Sequence, residues 1–247
     1  MTAGRQGAAG IIVGNEVLTA KVADSNGPYL IRKLRERAIP LLGLCVVPDE
    51  VDAIVEAVVS ARRRASWVVT SGGIGPTHDD VTVRGVALAL GRRVVRLPAM
   101  IDIIKAAWKG EEPPPAALRL AEAPEGAELL PLPGTHFPVL ACDGVFMLPG
   151  VPRYFEAQLD VVLTRLPAGT VALKVLYLSA TEPEIARALD GVAMAMPHVA
   201  FGSYPRVGPE VDWRVKVTIE HEQPEPVAEA LTRLVAALPA GCLLRVE

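Results

Sequence analysis

Apolar and polar positions along the first two thirds of the chain fall into alternating blocks. Gly10–Val13 is an unbroken apolar run of strand length. From Asn26 to Arg37, Tyr29, Leu30, Lys33, Leu34 and Arg37 recur at helical spacing. Leu41–Val47 predicts a second strand, and Val51, Ile54, Val55, Val58 and Val59 mark the apolar face of a second helix. Trp67–Thr70 predicts a third strand, followed by a helix over Val81–Leu90 that Gly91 closes. Met100–Trp108 is a further helix. Pro113–Pro115 breaks the chain, Ala116–Ala121 is a short helical piece, Val145–Leu148 a strand and Tyr154–Leu166 a helix. Strands alternating with helices of this length imply βαβ units and a mostly parallel sheet.

The rhythm changes after Pro167. Val171–Ser179 is a strand, Pro183–Leu189 a helix, His198–Ser203 and Trp213–Glu220 are strands, Val227–Leu238 is a helix and Cys242–Val246 a last strand. The order β-α-β-β-α-β is the ferredoxin-like, split-βαβ signature of a small α+β domain. A boundary near Pro167–Gly169 divides the chain into domains 1–167 and 168–247, each of ordinary size.

With 28 acids against 25 bases the formal charge is −3, which gives no electrostatic reason to expect nucleic acid as a partner. The basic cluster Arg62–Arg64 falls at the end of a predicted helix, where it complements the helix dipole. Cys45, Cys142 and Cys242 are odd in number and far apart, so neither a disulfide framework nor a zinc site is expected, and a reducing cytoplasm fits. No basic-then-apolar leader opens the sequence and the longest apolar runs are of strand length, so no membrane association is expected.

In an open parallel sheet, ligands bind beyond the carboxyl ends of the strands. Gly14, Asn15 and Glu16 follow the first predicted strand, Pro48, Asp49 and Glu50 the second, and TSGGIGPTHDDVT (70–82) contains the loop after the third. Pro149, Gly150, Val151 and Pro152 follow the strand at 145–148. One crevice can therefore collect the acids Glu16, Asp49, Asp79 and Asp80. Each has a plainer alternative: Asp49 and Asp80 as N-caps of the helices that follow, Asp24 likewise, and Pro149-Gly150 as an ordinary turn. Gly72, Gly73 and Gly75 exceed what a simple turn requires and let a backbone approach a ligand closely. The run GGIGP matches neither the dinucleotide fingerprint nor the phosphate loop of ATPases.

Glycines that cradle an anion beside two aspartates need reconciling. A phosphate about 5 Å from one carboxylate is repelled by roughly 3 kcal/mol at an effective dielectric of about 20. A divalent ion shared by carboxylates and phosphate oxygens reverses that sign, and Mg²⁺ favours this arrangement. Metal-assisted attack at a phosphoryl group is the expected chemistry. Asp49, Asp79 and Asp80 would hold the ion and position water, while Gly72, Gly73, Gly75, Pro76 and Thr77 would cradle a diphosphate. His78 inside the loop reads as an exposed loop histidine, and His136, His198 and His221 show no partner spacing.

The stretches GNEVLTAKVADSN (14–26), VPDE (47–50), GGIGPTHDD (72–80), PEGAELL (124–130) and LPGVPRYFE (148–156) resemble the molybdopterin-binding, molybdenum-cofactor-biosynthesis domain superfamily. The similarity is greatest to the N-terminal part of competence/damage-inducible CinA proteins and runs on through SYP (203–205) and VKVTIE (215–220). The resemblance implies a three-layer αβα domain that binds a phosphorylated pterin or adenine nucleotide, and a homo-oligomer. It implies metal-dependent hydrolysis of ADP-ribose, or of FAD as in the corresponding domain of FAD synthases. Aspartates functional in the related molybdopterin adenylyltransferases correspond to Asp49 and Asp80, so adenylyl transfer is a second expectation. Leu118-Arg119-Leu120 and LPGTHFPVLACDG (132–144) depart from the CinA pattern, which makes a non-catalytic nucleotide- or pterin-binding module the third.

Overall fold

Ala8–Val13 forms β1, buried along its whole length, and a strand hidden on both faces explains the unbroken apolar run. The computed structural model describes residues 7–109, 111–133, 137–208 and 212–247; His136 and part of the 132–144 stretch lie outside them. The chain divides into two compact units, Met1–Ala168 and Gly169–Glu247.

In the first unit β1 is followed by α1 (Asn15–Leu18), α2 (Asn26–Glu36), β2 (Leu41–Val47), α3 (Val51–Arg62), β3 (Trp67–Ser71) and α4 (Thr82–Ala89). Then come β4 (Val94–Arg96), α5 (Pro98–Ala107), a 3-10 turn (Ala117–Ala121), β5 (Glu122–Pro124), β6 (Glu128–Leu130), β7 (Val139–Cys142), β8 (Val145–Leu148) and α6 (Pro152–Arg165). Six strands form one sheet in the order β2-β1-β3-β8-β7-β6. The β2-β1, β1-β3 and β3-β8 pairings are parallel, and the two hairpin pairings at the far edge are antiparallel.

Alternation along the strands builds the three layers. Phe146 and Leu148 point to the side packed by Leu30 and Leu34 of α2 and by Phe155, Leu159 and Val162 of α6. Val145 and Met147, one residue out of phase, join Ile54 and Val58 of α3 and Val86 of α4 on the other side. Val13 pairs with Val47, Ile12 with Ser71 and Ser71 with Leu148, so the four parallel strands end nearly level. That level edge is where the loops meet.

The second unit runs β9 (Ala172–Leu178), α7 (Glu182–Ala195), β10 (Ala200–Pro205), β11 (Val215–His221), α8 (Pro224–Ala237) and β12 (Leu243–Val246), the expected β-α-β-β-α-β. Its sheet has the order β10-β11-β9-β12, antiparallel throughout, over a core that includes Leu176, Ile185, Val217 and Leu234.

Three local features differ from the sequence reading. α7 continues through Asp190-Gly191 to Ala195 instead of stopping at Leu189. α1 and the strands β4 to β7 are new, being three or four residues each and too short to display a period. β7 and β8 are joined by Asp143 (φ 47°) and Gly144 (φ 80°), a two-residue hairpin turn with both residues left-handed. Among the described residues no helix is long and apolar enough to cross a membrane.

Candidate functional site

The loops after β1, β2, β3 and β8 converge on a cleft of about 900 Å³ in the first unit. The strand order orients it. Glu16 follows β1, Asp49 follows β2, and Asp79 and Asp80 follow β3, all on the half of the sheet nearest β2. Met147 on β8, Leu140 on β7 and Leu129 on β6 line the cleft from the opposite half, joined by Phe137 and by Tyr154 and Gln158 of α6. The cleft thus runs from carboxylates to apolar walls.

Backbone conformation at the β3 loop requires glycine twice. Gly72 (φ 98°) and Gly73 (φ 66°) are left-handed, and a Cβ on Gly72 would strike the carbonyl oxygen of Val13. The turn is then fixed from several sides: Gly72 N–H donates to Leu148 O at 3.0 Å, and the buried Thr82 hydroxyl donates to Gly72 O at 2.8 Å. Asn26, 5% exposed, donates from Nδ2 to Ser71 Oγ and to Gly150 O, tying the end of β3 to the loop after β8. Hydrogen bonds worth about 1 kcal/mol each collectively hold the loop in one shape.

The aspartates are held in different ways. Asp24 accepts from the N–H groups of Asn26 and Gly27 and so caps the start of α2, the plainer of its two readings. Asp49 does not cap α3; its Oδ2 accepts the N–H of Asn15 at 2.7 Å and fastens the β2 loop to α1. Asp80 does not cap α4; its Oδ2 accepts the N–H of Thr77 at 2.7 Å, closing a tight loop over 77–80, and the single Thr77 hydroxyl proton is shared between Asp80 and Asp79. Asp79 is exposed. The Thr77 hydroxyl, its own N–H, and the His78 and Arg119 charges hold its carboxyl below the usual carboxylate value of 3.8. It is ionised at neutral pH.

Of the residues singled out in the sequence, Glu16, Asp49, Gly72, Gly73, Gly75, Asp79, Asp80, Pro149 and Gly150 line the cleft. Asn15 and Thr77 do not line it but donate their backbone N–H groups to Asp49 and Asp80. Gly14 and Pro76 do not line it; Gly14 opens α1 and Pro76 is exposed between Gly75 and Thr77. Other contributors escaped the sequence reading. Arg119 lies close enough to Asp79 to stabilise its charge. Gln158 is 6% exposed on the buried stripe of α6 with Phe155, Leu159 and Val162. A lone polar residue on an apolar helical stripe was the available signal.

The donor set limits what metal it would suit. Among the described residues, no group of three His, Cys, Asp or Glu side chains stands at metal-ligating spacing. Asp49 and Asp80 each accept the backbone N–H of another residue, whereas the exposed Asp79 carboxyl is held by its immediate neighbours, the Thr77 side chain and its own N–H. A closed all-protein cage does not fit these residues. They fit Mg²⁺ in the mode where the protein supplies one or two carboxylates and the ligand's phosphates and water supply the rest. Burial pushes the thiols of Cys142 and Cys242 up, and partial desolvation against its neighbours does the same to the otherwise exposed Cys45, so none is a poised nucleophile.

Comparison with known proteins identifies the family. Residues 9–168 match the family model of the probable molybdopterin binding domain, and residues 170–247 match that of the FAD synthase middle domain. A protein of Archaeoglobus fulgidus is 32% identical over 198 residues, covering 80% of this chain and 85% of its own. A probable FAD synthase of Caenorhabditis elegans is 29% identical over 259 residues, covering 93% of this chain and 49% of its own, so this chain spans about half of that protein. The crystal structure of CinA from Thermoplasma acidophilum is similar at a TM-score of 0.61 and 30% identity, covering 66% of this chain and 98% of that one. The similarity to CinA found in the motifs thus extends to the fold.

Proposed function

Because the chain belongs to the probable molybdopterin binding domain family, we propose that its cleft binds a phosphorylated adenine nucleotide, flavin nucleotide or pterin. We propose further that it hydrolyses the pyrophosphate of an ADP-containing compound such as ADP-ribose or FAD with the help of Mg²⁺. The observation that carries this reading is the composition of the cleft. Carboxylates and a glycine turn at one half are continuous with apolar walls at the other, in a volume of about 900 Å³. Phosphate alone needs neither the volume nor the apolar wall; a phosphate joined to a planar ring uses both. The match of the second unit to the FAD synthase middle domain supports a flavin- or adenine-containing ligand.

Asp79, helped by Asp49, would hold the ion. When bound, Mg²⁺ supplies charge neutralisation and polarises the phosphoryl oxygen. The remaining work belongs to the chain. Thr77 holds Asp80 rigid, so its carboxylate can orient a water by hydrogen bonding. The turn Gly72-Gly73, tight because a Cβ at either would strike Val13 O or Thr82, would present backbone to the diphosphate. Arg119, on the Asp79 side, can meet negative charge on the departing phosphate. Water adds to one phosphorus, the bridging P–O bond breaks, and two monophosphates leave.

A second reading, binding without turnover, is favoured by one observation: Asp49 and Asp80 are already committed to backbone donors. Incubation with ADP-ribose, with FAD, and with ATP plus molybdopterin, each in Mg²⁺ and in EDTA, tests both. Release of AMP from the first two only with Mg²⁺ supports hydrolysis. Ligand binding without products supports the second reading, and adenylylated molybdopterin would replace both. We also propose self-association, supported by β2. It is an edge strand on which Leu44 and Val46 are each 37% exposed and Cys45 is exposed.

A further inference from the structure

Of the polar side chains that line the cleft and that the chemistry above leaves unused, Gln158 is the buried one. Gln158 lines the cleft from α6, is 6% exposed, and donates weakly from Nε2 to Pro138 O at 3.4 Å. Its Oε1 is shielded from solvent and accepts no hydrogen bond among the described residues. An acceptor buried without a donor costs about 1–3 kcal/mol, so such an atom calls for an explanation. Core packing offers none, because its neighbours on the stripe, Phe155 and Leu159, are apolar and fully buried. The terminal torsion of a glutamine is broad, so the carboxamide can turn its oxygen toward the cleft at little cost.

Resting on the cleft being a nucleotide or pterin site, we propose that Gln158 reads the ring of the ligand. It accepts a hydrogen bond from a ring N–H or exocyclic N–H of a planar nitrogen heterocycle that lies against Pro138, Tyr154 and Ala157, its neighbours along the cleft. The apolar walls supply area without selectivity, and one oriented acceptor supplies the selectivity. A ring imide N–H, as in a flavin, and an exocyclic amine, as in adenine, share this chemistry. The position of Gln158 is consistent with that division of labour. It enters from α6, beneath β8 and β7, whereas the carboxylates follow β1, β2 and β3. Phosphate and ring are therefore held by different elements, and changing one need not disturb the other.

The test uses the full chain in Mg²⁺ and measures affinity for FMN, AMP and ribose 5-phosphate, the last having no nitrogen heterocycle. It repeats the first two with N3-methyl-FMN and N6,N6-dimethyl-AMP, whose donors are blocked, and with the variant Gln158→Met, which keeps the volume and loses the acceptor. A ring-bearing ligand should bind the wild type about tenfold more tightly than ribose 5-phosphate. Gln158→Met should lose about tenfold for that ligand and nothing for ribose 5-phosphate. The blocked analogue should lose as much on the wild type and little more on the variant, the signature of one shared interaction. FMN or AMP showing this pattern identifies which ring is read. If FMN or AMP binds but neither methylation nor Gln158→Met shifts its affinity beyond about twofold, the proposal is wrong and the cleft remains a ligand site. If none of the three phosphates binds, the cleft reading falls and the role of Gln158 falls with it. Should the variant fail to fold, the methylated ligands on the wild type still decide.

Discussion

At the scale of single residues the acidic cluster separates into unlike parts. Asp24 caps a helix, Asp49 and Asp80 brace loops while facing the cleft, and Asp79 is exposed with its carboxyl held low. Sequence alone placed all of them at strand ends but could not distinguish bracing from capping, because both use the same residue type beside the same helix start. Gln158 was hidden for another reason. The consequence of a polar residue on an apolar stripe depends on whether a partner packs opposite it, and that is a tertiary fact. The distinction between Asp79 and Asp80 has a measurable outcome. Asp79→Asn should weaken Mg²⁺-dependent ligand binding about fivefold, the screened scale for an exposed carboxylate, and lower the melting temperature only slightly. Asp80→Asn should lower the melting temperature more, since the amide accepts from Thr77 less strongly than a carboxylate does. Equal melting curves for the two variants would contradict the bracing role of Asp80.

At the scale of elements, one dipeptide shows how far local chemistry reaches. Asp143-Gly144 makes the two-residue hairpin turn between β7 and β8, which the sequence reading passed over because β7 is too short to display a period. Asp190-Gly191 has the same composition and sits inside α7, because Ile185, Val192 and Met196 continue the buried stripe past it. The long periodic helices and strands were legible; three-residue strands, with no period to read, were not. Gly191 is exposed, helical and has no neighbour within 4 Å of a Cβ. Gly191→Ala should therefore raise unfolding free energy by about 0.5–1 kcal/mol in chemical denaturation, and a loss of stability would contradict a helical Gly191. The same helix begins with a capping box of Thr181 and Glu184. Hydrogen bonds from the N–H and then the hydroxyl of Thr181 hold the Glu184 carboxyl below its usual value of 4.5. A depressed carboxyl contributes its stability above the unfolded value and loses it as pH falls through the folded one. The melting-temperature gap between wild type and Glu184→Ala should be full near neutral pH and shrink in acid below that carboxylate range. A gap constant across that window would rule the capping interaction out as its source.

At the scale of the whole molecule, both units were legible from the change of rhythm near Pro167. The family followed from motifs that the strand ends bring to one edge. The apolar half of the cleft was not legible, because Leu129, Leu140 and Met147 are each ordinary core-type residues until the strand order sets them side by side. The exposure of β2 was equally invisible, since LLGLCVV reads as a buried central strand and its edge position depends on topology. If β2 is where copies meet, the wild type should scatter light as an oligomer at micromolar concentration and Val46→Lys as a monomer. A monomeric wild type would remove that reading of the strand.

The central claim is that carboxylates and phosphate share the cleft through a divalent ion, with a ring seated beyond them. Calorimetric titration into the intact protein of an FAD analogue whose bridging pyrophosphate oxygen is replaced by methylene, which cannot be hydrolysed, once with Mg²⁺ and once with EDTA, tests it most directly. The account predicts saturable binding of one ligand per chain with Mg²⁺, and affinity at least about tenfold weaker in EDTA, where unneutralised carboxylates repel the diphosphate. Equal affinity in the two buffers, or no binding in either, would contradict it.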